Sequence, residues 1–241
     1  MKTCERAQRR GAAGLLLLAA MACGHAPPQA APGVAAGDVV PVYREPMHRE
    51  VFHSPLVRVL DVRIAPGDTT AYHRHDAPLV GIAVQDARIW SQLQGTPPGP
   101  VSLLKATPYV FDSWSQTLPY THRVANADTL PLHYVVAEWL ARSGPHAPAL
   151  PDGPSRRLLT QGPRLRVYQI TLAPGAATEP HTHATPGLTV LGAGRALSED
   201  GSPQASGGSG AGSWSWREAP YRHVLRNEGP TPMIIYEIDW R

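Results

Sequence analysis

Two stretches of 22 residues in this chain are copies of one another. "VRVLDVRIAPGDTTAYHRHDAP" from Val57 aligns without gaps on "LRVYQITLAPGAATEPHTHATP" from Leu165, at an offset of 108 residues. A second pair follows: "LPYTHRVANADTLPLHYVVAEW" from Leu118 aligns on "APYRHVLRNEGPTPMIIYEIDW" from Ala219, at an offset of 101. A period near 100 residues is too long for a solenoid and matches a small domain, so the chain is read as a tandem duplication. The two units are placed at residues 45–142 and 155–241, with 143–154, which hold "PHAPALPDGP", as a linker.

Within each unit the pattern is strand and turn. "VRVLDVRI" and "LRVYQITL" alternate and stop at Ala-Pro-Gly, while "HYVVAEW" and "MIIYEIDW" are β-branched and aromatic closing strands. No segment after the N-terminal region shows sustained helical periodicity, and the fold class is all-β, two barrels or sandwiches in series. "EDGSPQASGGSGAGS" reads as a flexible surface loop, and Trp114, Trp214 and Trp216 as barrel packing.

The histidines carry the chemistry. Alternate strand residues share a face, so His73 and His75 enter one side of the sheet, as do His181 and His183. His122 and His223 come from a later strand that a closed barrel can bring alongside. Three imidazoles converging in an apolar interior would each bury a polar nitrogen, and a divalent metal satisfies them. Tyr120 and Tyr221, two residues before the third histidine, share its inward face and are candidates for contact with a ligand or with the metal-binding histidines. Asp76 and Glu179 are expected to face outward. His25, His48, His53, His133 and His146 lack partners in the repeat and are read as surface or loop residues.

Gly67-x5-His73-x-His75 and Gly175-x5-His181-x-His183 resemble the first cupin motif, G-x5-H-x-H-x3-4-E-x6-G. His122-x3-Asn126 and His223-x3-Asn227 resemble the end of the second. The resemblance implies two tandem cupin (jelly-roll β-barrel) domains, each with a metal pocket, the layout of oxalate decarboxylases, quercetin dioxygenases and storage globulins. The motif glutamate would fall at Leu79 or Val80 and at Gly187 or Leu188, none of which can bind a metal. Both sites are therefore expected to be neutral three-histidine sites, suited to Fe, Zn, Ni or Cu rather than Mn. Cysteine-dioxygenase-like and diketone-cleaving cupins are similar in holding iron with histidines alone. Function is expected to be that of a metal-binding bicupin, either a dioxygenase or related oxidoreductase on a small organic substrate or a non-catalytic binder of a small ligand or metal. A third reading gives the metals a purely structural role.

Residues 1–22 have the form of a signal peptide, with a basic start and the apolar run "GAAGLLLLAAMA". Cys23-Gly24 resembles a lipoprotein lipobox with Ala20 in the place of the usual Leu, and Ala20-Met21-Ala22 also fits ordinary cleavage. Residues 23–44 read as a tether, which predicts a periplasmic or membrane-anchored lipoprotein touching the membrane only through a lipid on Cys23. Four of the 22 Lys and Arg lie in residues 1–22 against one of the 19 Asp and Glu, so the remainder is electrically balanced. It offers no basic face for nucleic acid. Cys4 and Cys23 are the only cysteines, which leaves no disulfide or thiolate ligand for the barrels.

Overall fold

The computed structural model describes residues 29–30, 38–111, 119–141 and 144–241; the signal segment, Cys23, His25 and Trp114 lie outside them. The described residues form two successive jelly-roll barrels of the cupin type, and their one helical element is the 3-10 turn Val42–Arg44.

In the first barrel one sheet runs in the order Pro108–Phe111, Leu79–Ala83, Leu132–Trp139, Val57–Ile64, His48–His53. The opposite sheet is built on Tyr120–Asn126, which pairs with Tyr72–His75 and Asp68–Thr69 along one edge and with Ala87–Leu93 along the other. Part of the expected tether belongs to this sheet, because Val39–Pro41 lies parallel to Tyr72–Arg74.

The second barrel repeats the first sheet as Arg156–Gln161, Leu165–Leu172, Met233–Trp240, Gly187–Ala193, Trp214–Arg217, Ala205–Gly207. Its other face is two ribbons, His181–His183 with Tyr221–His223 and Leu197–Glu199 with Leu225–Asn227. The Gly/Ser-rich stretch is therefore partly sheet, since Leu197–Glu199 and Ala205–Gly207 both fall in or beside it.

The duplicated turns are duplicated in detail. Gly67 and Gly175 adopt φ of 80° and 75°, the left-handed region where a Cβ is costly, and each donates its N–H to the carbonyl of the motif asparagine, Asn126 or Asn227. The Asn126 amide donates to the Ile64 and Leu130 carbonyls, and that of Asn227 to the Leu172 and Thr231 carbonyls. This asparagine ties down loop backbone, and its side-chain hydrogen bonds go there rather than to the histidines.

Both closing strands are buried on two faces. Val135, Ala137 and Trp139 of one repeat and Tyr236, Ile238 and Trp240 of the other join a single core between the barrels, where Trp139 and Trp240 stack at 5.0 Å and 8°. Trp214 and Trp216 also belong to this inter-barrel core, packing on Phe52, rather than to the interior of their own barrel. The alternate residues, Leu132, Tyr134, Val136 and Glu138 against Met233, Ile235, Glu237 and Asp239, face the barrel interiors.

Candidate metal centres

The ladder sets the histidines face to face. His73 pairs in register with His122, and His181 with His223, so the third histidine lies directly across from the first in both barrels. Ring centroids within each triad lie 4.5–5.4 Å apart in the first barrel and 4.5–5.1 Å apart in the second. All six residues expected to bind metal are thus brought together, as two groups.

Each imidazole is held by its Nδ1. The His73 and His181 Nδ1–H groups donate to the carbonyls of Ala71 and Glu179, at 3.0 and 2.9 Å. His75 donates to Glu138 at 3.1 Å and His183 to Asp239 at 2.7 Å. Both carboxylates are backed by an arginine, Arg58 for Glu138 and Arg217 for Asp239. His122 Nδ1 lies 3.3 Å from Ser91 Oγ, and His223 Nδ1 donates to Glu199 at 2.6 Å. At the five histidines whose Nδ1 faces a carbonyl or carboxylate, fixing Nδ1 in this way selects the tautomer that leaves Nε2 as a lone pair directed inward, the arrangement that supports metal-binding histidines; the Ser91 hydroxyl is compatible with the same tautomer at His122.

The inward atoms are disposed to hold a cation. His73 Nε2 is buried without a hydrogen-bond partner. In the second barrel His223 Nε2 lies 3.0 Å from His181 Nε2 and 3.2 Å from His183 Nε2. Two lone pairs at that separation repel unless a proton or metal sits between them. Four donors bound at about 2.1 Å would lie roughly 3.0–3.4 Å apart, and the contacts among these donors run from 2.9 to 3.4 Å. The donor set fits a metal ion.

The expectation of a neutral three-histidine site in both barrels is corrected in the second. Glu237 places its carboxylate 3.1 Å from His183 Nε2 and 2.9 Å from His223 Nε2, forming a His181, His183, His223, Glu237 group. Burial alone would raise the Glu237 pKa, but His183, His181 and His223 hold it well below the usual carboxylate range. Its register partner across the closing strand is Thr189, one strand away from the motif position, so the acid has changed strands. Two acids at alternate positions of the otherwise apolar and aromatic "MIIYEIDW" were the available signal. The first barrel has Val136 at the equivalent position and keeps the expected triad.

The motif position is filled differently in each barrel. Leu79 is buried in the first. In the second, a Cβ on Gly187 would fall 2.6 Å from Arg217 Nη2 and against the Ile238 carbonyl, so only glycine admits the guanidinium that binds Asp239. Register equates Ser91 with Glu199, since they face Val124 and Leu225. Tyr221 closes over this network, donating to Glu199 at 3.0 Å.

The first barrel is hollow instead. A cavity of about 240 Å³ reaches the triad and is lined by Tyr109, Phe111, Tyr120, Tyr134, Val136 and His48 among others; no Asp, Glu, Lys or Arg lines it among the described residues. Burial raises the Tyr120 pKa, keeping it a neutral phenol 4.5 Å from the His122 ring. Burial, reinforced by neighbouring imidazoles, holds His73 and His122 well below the ordinary histidine range, so both are neutral and able to ligate. A cavity of about 150 Å³ in the second barrel touches Glu199 and none of its histidines.

Two histidines read as surface residues are buried. His48 lies against His73 with ring centroids 4.3 Å apart and planes tilted by 50°, and is bonded through Nδ1 to Glu45, while His133 is bonded through Nε2 to Asp61 at 2.8 Å. His53 and His146 are exposed, as are Asp76 and Glu179.

No family model matches the sequence, and no curated protein sequence does. Among solved structures, AerE from Microcystis aeruginosa matches at a TM-score of 0.56 and 12% identity, over 82% of this chain and 98% of that one. A mutant of the salicylate 1,2-dioxygenase from Pseudoaminobacter salicylatoxidans, in complex with gentisate, matches at 0.53 and 13%, over 83% and 76%. The 11S globulin from Wrightia tinctoria, whose structure reveals an auxin binding site, matches at 0.52 and 11%, over 77% and 76%. At these identities the likeness establishes the cupin fold alone.

Proposed function

We propose that this chain is an exported metal-dependent bicupin that acts on a small organic substrate in its first barrel, as a dioxygenase or related oxidoreductase. The second barrel holds a closed metal site that serves the structure. The observation that carries this reading is the cavity that opens onto the histidine triad of the first barrel, whereas the cavity beside Glu199 in the second touches none of its histidines. His73, His75 and His122 would hold the ion, leaving its remaining positions directed at the cavity. Such an ion supplies a Lewis-acidic and, for iron, redox-active centre. The residues around it do the rest. Glu138 orients His75, Tyr120 offers a hydroxyl, and the apolar walls exclude water and confine a ring-sized ligand. Resemblance to dioxygenase structures agrees with this reading.

A non-catalytic ligand binder is favoured by one observation, the lack of any Asp, Glu, Lys or Arg lining the cavity among the described residues. Export rests on residues 1–22 and lipid anchorage on Cys23. The test is elemental analysis of the full chain purified without a histidine tag, with oxygen uptake measured over a panel of small aromatics. The expected result is two metals per chain. His122→Ala should lose one together with all uptake, and His223→Ala should lose the other while uptake persists. A folded chain that holds no metal after reconstitution overturns the proposal, and metal with ligand binding but no uptake selects the binder.

A further inference from the structure

The first barrel has an imidazole that the triad does not use. His48 is buried, lies against His73 at 4.3 Å between ring centroids, and lines the cavity. The three triad donors lie within 4.8 Å of one another, and His48 is not among them. Its orientation is built. Glu45, itself buried, takes His48 Nδ1 at 2.6 Å on one carboxylate oxygen together with the Met47 N–H at 2.8 Å. The other oxygen accepts the Ala71 N–H at 3.1 Å, and the Ala71 carbonyl holds His73. One carboxylate thus fixes His48 relative to a metal-binding histidine. The Met47 and Ala71 N–H groups make both Glu45 oxygens acceptors, so at the shared Oε2 it is His48 Nδ1 that carries the hydrogen, and its Nε2 is an acceptor.

The pair belongs to the first barrel alone. The repeat places Gly153 and Arg156 at the positions of Glu45 and His48, and the second-barrel cavity beside Glu199 touches none of its histidines. A fixed acceptor therefore occurs in the barrel that has room for a ligand.

We propose that His48 is a positioning residue that accepts a hydrogen bond from a hydroxyl of the substrate, and that the substrate is a small aromatic ring with oxygens on adjacent carbons. One oxygen faces the metal position, and the neighbouring hydroxyl reaches His48. The ring itself lies among Tyr109, Phe111, Tyr120 and Tyr134, a lining suited to aromatic stacking. This rests on the proposed metal site in the first barrel.

The test uses the full chain loaded with zinc, which is redox-silent, and calorimetric titration with catechol and with phenol under nitrogen. Catechol should bind wild-type protein more tightly than phenol. His48→Phe, which keeps the ring volume, should weaken catechol about ten-fold, the scale of one hydrogen bond, and leave phenol unchanged. His48→Gln, whose amide oxygen can accept, should recover part of the loss. Zinc content should stay at two per chain in every variant. The inference is overturned if wild-type protein does not bind catechol, if His48→Phe binds it normally, or if that variant loses zinc, which would make His48 a ligand. Failure of wild-type protein to take zinc into the first barrel would instead overturn the metal site itself.

Discussion

The two barrels share strand register, six corresponding histidines and an arginine-backed carboxylate behind the second histidine, although Arg58 and Arg217 come from different strands, yet one encloses a cavity and the other a charge network. Three interior positions account for much of the difference. Leu79, Ser91 and Val136 in the first barrel correspond to Gly187, Glu199 and Glu237 in the second, where the glycine admits Arg217. The second barrel carries more charge and fills space, while the first has small or apolar groups at these positions and His48 where the second has Arg156. The same scaffold thus yields an open site or a sealed one according to which side chains point inward.

The largest expected break in this comparison comes at the arginines. Arg217→Met removes a buried partner of Asp239 and should cost about 3–5 kcal/mol. Arg58→Met in the first barrel should cost about 2 kcal/mol, because each carboxylate keeps its histidine but Arg58, at 14% exposed against 2% for Arg217, is less deeply buried. Urea denaturation of both variants checks this, and equal losses would remove the distinction between a sealed and an open site.

Next in size is an exchange of donors. Glu237→Val should lower metal affinity in the second barrel at least about 100-fold, close to 2.7 kcal/mol, and Val136→Glu should raise affinity in the first while diminishing its cavity. Competition against a chromophoric chelator gives both values. Unchanged affinity in Glu237→Val would show that the carboxylate is no ligand.

The smallest effect separates the two tyrosines. Tyr221→Phe loses the hydrogen bond to Glu199 and should cost about 1 kcal/mol. Tyr120→Phe should change thermal stability by less than about 0.5 kcal/mol, because Tyr120 faces a cavity. A stability loss at Tyr120 as large as at Tyr221 would indicate that both hydroxyls serve packing.

Fold and triads were legible because each depended on a local period that the duplication printed twice. The His-x-His spacing, the Ala-Pro-Gly turns and the asparagine four residues after the third histidine all recur in register. The rest depended on differences between the copies. Glu237 was hidden because a search guided by the motif looks one strand away. Arg217 was hidden because its approach requires a glycine elsewhere in the chain. His48 precedes the duplicated stretch, so no repeat partner drew attention to it, and only the closed barrel sets it against His73. Alternation along "MIIYEIDW" did contain the answer for Glu237, since it places Glu237 and Asp239 on the interior face.

The stack of Trp139 on Trp240 has a consequence for how the asymmetry arose. Seven repeat-related pairs, from Val57 with Leu165 to Trp139 with Trp240, lie in one core, and a residue that meets its own counterpart marks a two-fold axis. This is the isologous patch of a symmetric dimer, carried within one polypeptide. In a true homodimer every substitution appears in both subunits, so a change that seals one pocket seals the other. Joining the subunits covalently keeps the dimer contact while letting each half vary alone, and the sealed and open interiors of this chain are what that freedom permits.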